Sequence, residues 1–337
     1  MNGMIKPELL LEVKNLNVSF FTGQGELHAV NGISYSVMKG EIMGLVGESG
    51  SGKSVEAYTI MGLLPISARI NAGSIHFEGR DLLAFTKKEM EAFRGKEISM
   101  IFQNPMSYLD PVFTVERQIV ETICAHDKTI TKSSARALCI EMLQKVSIRD
   151  PIKVMKQYPF ELSGGMCQRV MIAIALICKP KLLIADEPTT SLDVMIQAQI
   201  IQILKELQKQ NNMAMIYITH NFGIVAEVCD RVSVIYGGYI LERGVTEDIF
   251  YSAVHPYTKV LLNAIPYTDA KNEEPFSPSD KTPITPLHLP DGCVYHPNCS
   301  YCMDICRTSF PPVTAINANH SACCWLLTND QTDIDER

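Results

Sequence analysis

No run of this sequence is apolar for long enough to cross a membrane. The most apolar run, Val170 to Cys178, is about half of what a spanning helix requires. The N-terminus has no basic-then-apolar layout of the kind that directs secretion. Positive charge is in deficit, the net charge being −7, and no basic patch with interleaved aromatic residues occurs. That argues against a nucleic-acid partner. No internal repeat is visible, which excludes repeat architectures. These absences lead to the expectation of a cytosolic chain. With 337 residues, 46% of them hydrophobic, it can bury one sizeable core plus an appendage.

What is present begins with Gly47-Glu48-Ser49-Gly50-Ser51-Gly52-Lys53-Ser54, a complete G-x-x-x-x-G-K-[ST] loop. The apolar run Ile42–Val46 before it reads as a buried strand, and a helical pattern follows from Ser54 to Leu64. That is the context in which such a loop cradles phosphates. Glycines let successive N–H groups turn inward, Lys53 is placed for the β- and γ-phosphate oxygens, and the Ser54 hydroxyl for Mg²⁺. The following helix adds its positive end. A nucleoside triphosphate is the expected ligand.

Before this loop, apolar residues alternate at Leu11 and Val13, at Leu16, Val18 and Phe20, and at Ile33, Tyr35 and Val37. Turn signals stand at Gly23-Gln24-Gly25, Asn31-Gly32 and Lys39-Gly40, so an antiparallel β layer is expected. Phe20 and Phe21 either stack on an adenine ring or fill the core. Asn71 to Asp81 gives another strand and turn, and Ile98–Gln103 is an apolar strand ending in an amide. A helical stretch from Thr114 to about Pro159 reads as an insertion. Leu162-Ser163-Gly164-Gly165 opens an apolar helix over about Met166–Cys178, with Ser163 as N-cap. Lys181–Ala185 reads as a central parallel strand delivering Asp186-Glu187, a helix carries Ile196, Ile200, Ile203, Leu204 and Leu207 on one face, and Met213–Thr219 is a strand ending at His220. Gln103, Asp186-Glu187 and His220 are thus expected at the sheet edge where α/β folds bind ligands.

Phosphoryl transfer needs positioning, charge neutralisation and an oriented water. Asp186 suits a Mg²⁺-linked carboxylate, and Glu187, pointing differently, can polarise the attacking water. Gln103 is placed for the metal or that water, and His220 for the γ-phosphate. Alone, a paired acid is often merely solvated and a single histidine merely structural; their place in one set favours the catalytic roles.

This set, with Leu182–Asp186 and Ser191-Leu192-Asp193, resembles the nucleotide-binding domain of ABC transporters, over about residues 9–265. The resemblance implies a phosphate-loop ATPase core of the α/β class with a RecA-like parallel sheet, an N-terminal antiparallel β subdomain, a helical insertion over about 105–165 and a small cysteine-rich C-terminal extension. It implies a head-to-tail dimer in which Ser163, Gly164 and Gly165 face the nucleotide of the other subunit and Asp193 lies in the interface loop. It favours Phe20 as the adenine-stacking ring. Met-Ile-Phe-Gln-Asn-Pro-Met, the run after Leu182 and His255-Pro256-Tyr257-Thr258 are similar to the ATPases of oligopeptide, dipeptide and nickel importers, and Met61-Gly62-Leu63-Leu64-Pro65 to the first, D-type, of their paired ATPases. That implies ATP and Mg²⁺, a second homologous ATPase, two transmembrane permease subunits and an extracytoplasmic binding protein, with the chain peripheral on the cytoplasmic face of the membrane. Cys167 stands where Arg is usual, and Asn221 where Asp is usual.

Residues 266–292, rich in proline and charge, read as a linker. In 293–337 crowd Cys293, Cys299, Cys302, Cys306, Cys323 and Cys324. Disulfides are disfavoured in a reducing compartment, and a segment with few apolar anchors needs a staple. A metal centre is expected. Cys293, Cys299, Cys306 and His320-x-x-Cys323 resemble the C-terminal module of peptide-importer ATPases, in which the four matching cysteines imply a [4Fe–4S] cluster. Tetrahedral zinc is the alternative for four thiolates, and the spare Cys302, His296 and Cys324 keep it, or a different ligand choice, open.

Overall fold

In chain order, β1 (Leu9–Thr22) and β2 (Gly25–Met38) are long strands joined at Gly23-Gln24. Their inward residues include Leu11, Val13, Leu16 and Val18 on one, and Ile33, Tyr35 and Val37 on the other. The expected turn at Asn31-Gly32 does not form. The strand runs through it, with Gly32 at φ +68° and its N–H given to Asn17 Oδ1 at 3.0 Å. A left-handed glycine inside a strand serves a bulge as readily as a turn. β3 (Ile42–Val46) is buried throughout and leads to α1 (Lys53–Ile60). That helix ends at Ile60 rather than near Leu64: Gly62 is left-handed at φ +60°, and the Leu63 N–H reaches back to the Tyr58 carbonyl at 2.8 Å.

β4 (Ala68–Phe77), β5 (Arg80–Asp81), α2 (Lys87–Phe93) and β6 (Ile98–Ile101) follow. The helical insertion comprises α3 (Pro105–Tyr108), α4 (Val115–His126), α5 (Lys132–Lys145) and α6 (Pro151–Met155). Their N-termini are set by side-chain caps from Asn104, Thr114, Thr131 and Asp150. Next come α7 (Gly164–Leu176), β7 (Leu182–Asp186), α8 (Val194–Asn211), β8 (Ala214–Thr219), α9 (Phe222–Val228), β9 (Arg231–Tyr236), β10 (Tyr239–Val245), α10 (Thr246–Tyr251) and α11 (Pro256–Asn263). The cysteine-rich segment holds α12 (Asp304–Thr308), β11 (Val313–Ala315) and β12 (Ser321–Cys323).

This computed structural model describes residues 8–190, 192–265 and 287–328. Ser191 and most of the expected linker, 266–286, lie outside them. The chain divides into two units. The first takes the chain up to Leu11, Ser36–Ile42 and His76–Ile218; the second takes Glu12–Tyr35, Met43–Ile75 and the chain from Thr219 onward.

In the first unit, β6, β7 and β8 are parallel neighbours: Ile98 stands opposite Leu182, which stands opposite Ala214. All three strands are buried almost throughout, as parallel strands covered on both faces are. Their C-terminal ends therefore lie side by side.

In the second unit, β3 runs parallel to β9, with Leu45 opposite Ser233, and β10 pairs antiparallel with β9. β12 then pairs antiparallel with β10, and β11 with β12. The cysteine-rich segment extends the sheet that carries the phosphate-loop strand. A buried contact fastens it. His320 Nε2 lies 2.7 Å from Glu242 Oε1, both side chains being out of reach of solvent. The Glu242 carboxylate also accepts the backbone N–H groups of Val254 at 2.8 Å and His255 at 3.1 Å. A carboxylate buried this fully persists only because each partner is supplied.

Candidate nucleotide-binding site

The phosphate loop leaves β3 and enters α1 as expected. Gly50 and Gly52 sit at φ +80° and +103°, values that a side chain opposes. Gly47 is required for another reason: a Cβ there would lie 2.1 Å from the Ile235 carbonyl of β9. Glu48, Ser49 and Gly50 form an exposed rim, Ser54 is half-buried, and Ser51, Gly52 and Lys53 are buried. Lys53 Nζ turns inward and donates to the carbonyls of Gly47 and Glu48, each at 2.7 Å, and lies 3.3 Å from Ser51 Oγ. A buried cation under an open, glycine-lined rim fits a polyphosphate.

The first unit assembles the carboxylates. Asp186 closes β7 and is buried. Glu187 follows in the left-handed region at φ +46°, its N–H held by the Ile218 carbonyl at 3.0 Å. That backbone turn sends the two acids in different directions. Gln103 Nε2 donates to Glu187 Oε2 at 2.8 Å, and the Thr190 hydroxyl donates to the same oxygen at 2.8 Å. The pairing of Gln103 with Glu187 places the predicted amide on the predicted base. Thr190 is a site residue that sequence reasoning missed, although the Thr189-Thr190 pair two residues beyond Glu187 carried the signal.

Ser163 is the N-cap of α7, accepting the Met166 N–H at 3.3 Å, and Ser163 and Gly164 are exposed while most of α7 is buried. Gly165 lies against α8, where a Cβ would come within 3.0 Å of Ile196. Asp193 caps α8 through the Ile196 N–H at 2.9 Å. In the second unit, exposed His220 follows Thr219. Phe20 is half-buried; Phe21 is exposed, with the Arg69 guanidinium 4.9 Å from its ring centre. The two departures fill structural places. The buried Cys167 thiol, pushed up by burial, donates to the Pro159 carbonyl at 3.4 Å, and Asn221 caps α9 through the Gly223 N–H at 2.9 Å.

The ABC transporter family profile matches residues 30–190, and that of the oligopeptide/dipeptide transporter C-terminal region matches residues 241–306. The chain is 47% identical over 320 residues to the dipeptide transport ATP-binding protein DppD of Bacillus subtilis, covering 95% of each. It is 46% identical to the oligopeptide transport ATP-binding protein OppD of Salmonella typhimurium, over 94% of this chain and 93% of the relative. This chain belongs to the ABC transporter ATP-binding family. Its fold agrees with solved cassettes. The ABC dimer of MJ0796 bound to ADP and Pi matches with a TM-score of 0.64 at 23% identity, over 70% of this chain and 99% of that one. The cbiO1 protein of Clostridium perfringens gives 0.62 at 28%, over 73% and 92%.

In this ABC ATPase several of the tail cysteines lie near one another. Cys293 lies within electrostatic reach of Cys306, Cys324 and Cys299, and Cys299 within reach of Cys324, Cys306 and Cys302. Cys323 instead faces Arg243 and a cavity of about 270 Å³ also lined by Ser34, Tyr239, Phe310 and Ser321. The further thiol within electrostatic reach of Cys293 and Cys299 is Cys324. The reason is the strand: Cys323 ends β12, and successive side chains of an extended segment point to opposite faces. Burial pushes Cys293 up to about 12, and Cys299 and Cys323 each up to about 11, which favours the protonated thiols. Among the described residues no group of three or more His, Cys, Asp or Glu side chains is arranged to hold a metal ion.

Proposed function

We propose that this chain is the ATP-hydrolysing subunit that energises peptide import. The observation that supports it most directly is the joint match of cassette and peptide-transporter C-terminal region along one chain, with relatives of almost the same length named for dipeptide and oligopeptide transport. Lys53 takes the β- and γ-phosphate oxygens; Ser54, Gln103 and Asp186 are the groups for Mg²⁺, which neutralises phosphate charge when bound. Glu187 removes the proton from the attacking water, and His220 senses the γ-phosphate. Ser163-Gly164-Gly165 and Asp193 serve the second ATPase of a pair, two permease subunits carry the pathway, and an extracytoplasmic protein delivers cargo. The chain works peripherally on the cytoplasmic face of the membrane; no helix among the described residues is long and apolar enough to cross one.

Uptake of labelled dipeptide, longer peptide and nickel, in cells carrying the chain intact or with Lys53→Ala, tests this reading. Peptide uptake is lost in the variant, and the length preferred by the intact chain names the subclass. Nickel uptake lost with peptide uptake intact overturns the peptide assignment.

The cysteine-rich tail is proposed, on its sequence alone, as a thiolate centre whose cysteines would hold a [4Fe–4S] cluster or zinc. Protein purified without oxygen is expected to be brown and to contain iron with acid-labile sulfide. Colourless protein with stoichiometric zinc overturns the [4Fe–4S] form, and metal-free protein overturns the centre altogether.

A further inference from the structure

The catalytic assignments leave one sequence motif without a task, His255-Pro256-Tyr257-Thr258. It starts α11: His255 Nδ1 accepts the Tyr257 N–H at 3.1 Å, and Pro256 occupies the first helical position. Burial pushes the His255 imidazole down to about 3, so it is neutral and structural. The cap sends the Tyr257 side chain, 1% exposed, into the interior of the second unit. There its hydroxyl accepts the backbone N–H of Glu48 at 3.2 Å.

That N–H belongs to the Gly47–Glu48 peptide, whose carbonyl, at the other end of the same plane, accepts Lys53 Nζ at 2.7 Å. A trans peptide holds its N–H and C=O in opposite directions. Fixing the N–H on Tyr257 therefore fixes the carbonyl on the lysine, and a rotation of the plane would displace both. The Glu48 carbonyl adds a second hold on Lys53 at 2.7 Å and accepts the Ser51 N–H at 3.2 Å.

Tyr257 is held in turn by aromatic packing. Its ring lies 4.5 Å from Tyr236 and 5.2 Å from Tyr295, and Tyr236 meets Tyr295 edge-on at 5.2 Å. Tyr236 follows Ile235, whose carbonyl excludes a side chain at Gly47. Its hydroxyl accepts Asn298 Nδ2 at 3.0 Å. Tyr295 and Asn298 both belong to the cysteine-rich segment, between Cys293 and Cys299.

We propose that Tyr257 is a positioning residue for nucleotide binding, orienting the Gly47–Glu48 peptide and with it Lys53, and that the cysteine-rich segment holds Tyr257 in place through Tyr295. The inference rests on the reading of Gly47–Ser54 as the nucleotide site. It gives the tail a mechanical route to the phosphate loop whatever the tail binds.

The test is Mg-ATP affinity of the full-length chain by titration calorimetry, with steady-state ATPase kinetics and nucleotide-free melting alongside. Tyr257→Phe keeps the ring and removes the hydroxyl. It is expected to weaken Mg-ATP binding by about three- to tenfold, the scale of one neutral hydrogen bond. KM should rise in step, kcat at saturating ATP should stay nearly constant, and the nucleotide-free melting temperature should change little. Tyr295→Ala is expected to weaken binding likewise, whereas Tyr295→Phe, which preserves the packing, binds as the parent does. Parent-like affinity in Tyr257→Phe, or a loss in kcat at unchanged KM, overturns the role of Tyr257. Parent-like affinity in Tyr295→Ala overturns the link to the cysteine-rich segment. Lys53→Ala in the same series separates the two levels: lost binding there beside unchanged binding in Tyr257→Phe refutes the tyrosine and leaves the phosphate loop standing.

Discussion

Glu187→Gln is expected to lower ATP hydrolysis by about 10²- to 10⁴-fold, the range that a positioned general base contributes, while leaving Mg-ATP binding intact. The expectation follows from how the side chain is held. Oε2 accepts from Gln103 Nε2 and from the Thr190 hydroxyl, both at 2.8 Å, and the residue is 9% exposed. A glutamine amide oxygen can accept the same two bonds, so shape and packing survive while the proton acceptor is lost. The left-handed backbone at Glu187 tolerates Gln as well as Glu, since neither is β-branched. With binding preserved and chemistry stopped, ATP-bound chains should accumulate as a dimer, seen as an ATP-dependent shift in gel filtration absent from the parent at steady state. Phosphate release within tenfold of the parent rate would remove Glu187 from the base role. Thr190→Val offers a milder companion. It deletes one of the two donors and should cost less in turnover than Glu187→Gln, because Gln103 still orients the carboxylate.

Much of this site is legible in the sequence because it is local. A phosphate loop between a five-residue apolar strand and a helix is encoded within residues 42–60, and the caps at Ser163 and Asp193 are encoded within a few residues of the N–H donors they accept. The parallel strands announce themselves by burial on both faces. What stays hidden depends on pairings distant in sequence. Asn31-Gly32 carries a turn signal, but only the partner strand decides that Gly32 sits inside β2. The joining of β12 to β10 spans some 80 residues, and neither three-residue strand nor buried His320 predicts the Glu242 carboxylate waiting for it. Adjacent cysteines at 323 and 324 are equivalent in spacing arguments and inequivalent once the strand assigns each a face. Tyr257 stood in a recognised motif, yet its contact with Glu48 lies 209 positions away.

Lys53→Ala is expected to raise the Kd for Mg-ATP by about 10²- to 10⁴-fold, two charge-assisted hydrogen bonds being worth about 1.5–3 kcal/mol each. Without nucleotide the ammonium satisfies the loop's own carbonyls at Gly47 and Glu48, so it is held in the position from which it meets phosphate. Its loss acts on affinity more than on folding. The Gly47 carbonyl is left short of a donor while the Glu48 carbonyl keeps the Ser51 N–H, and the nucleotide-free melting temperature should fall by only a few degrees. Lys53→Arg should not restore binding. The side chain is 5% exposed and packed beneath the loop, and a planar guanidinium needs more room than a compact ammonium. Calorimetric titration of the three proteins at fixed Mg²⁺ checks both statements. Parent-like affinity in the alanine variant would show that the loop holds nucleotide without its lysine. Full rescue by arginine would show that charge alone, rather than the geometry set by the Gly47–Glu48 peptide, carries the interaction.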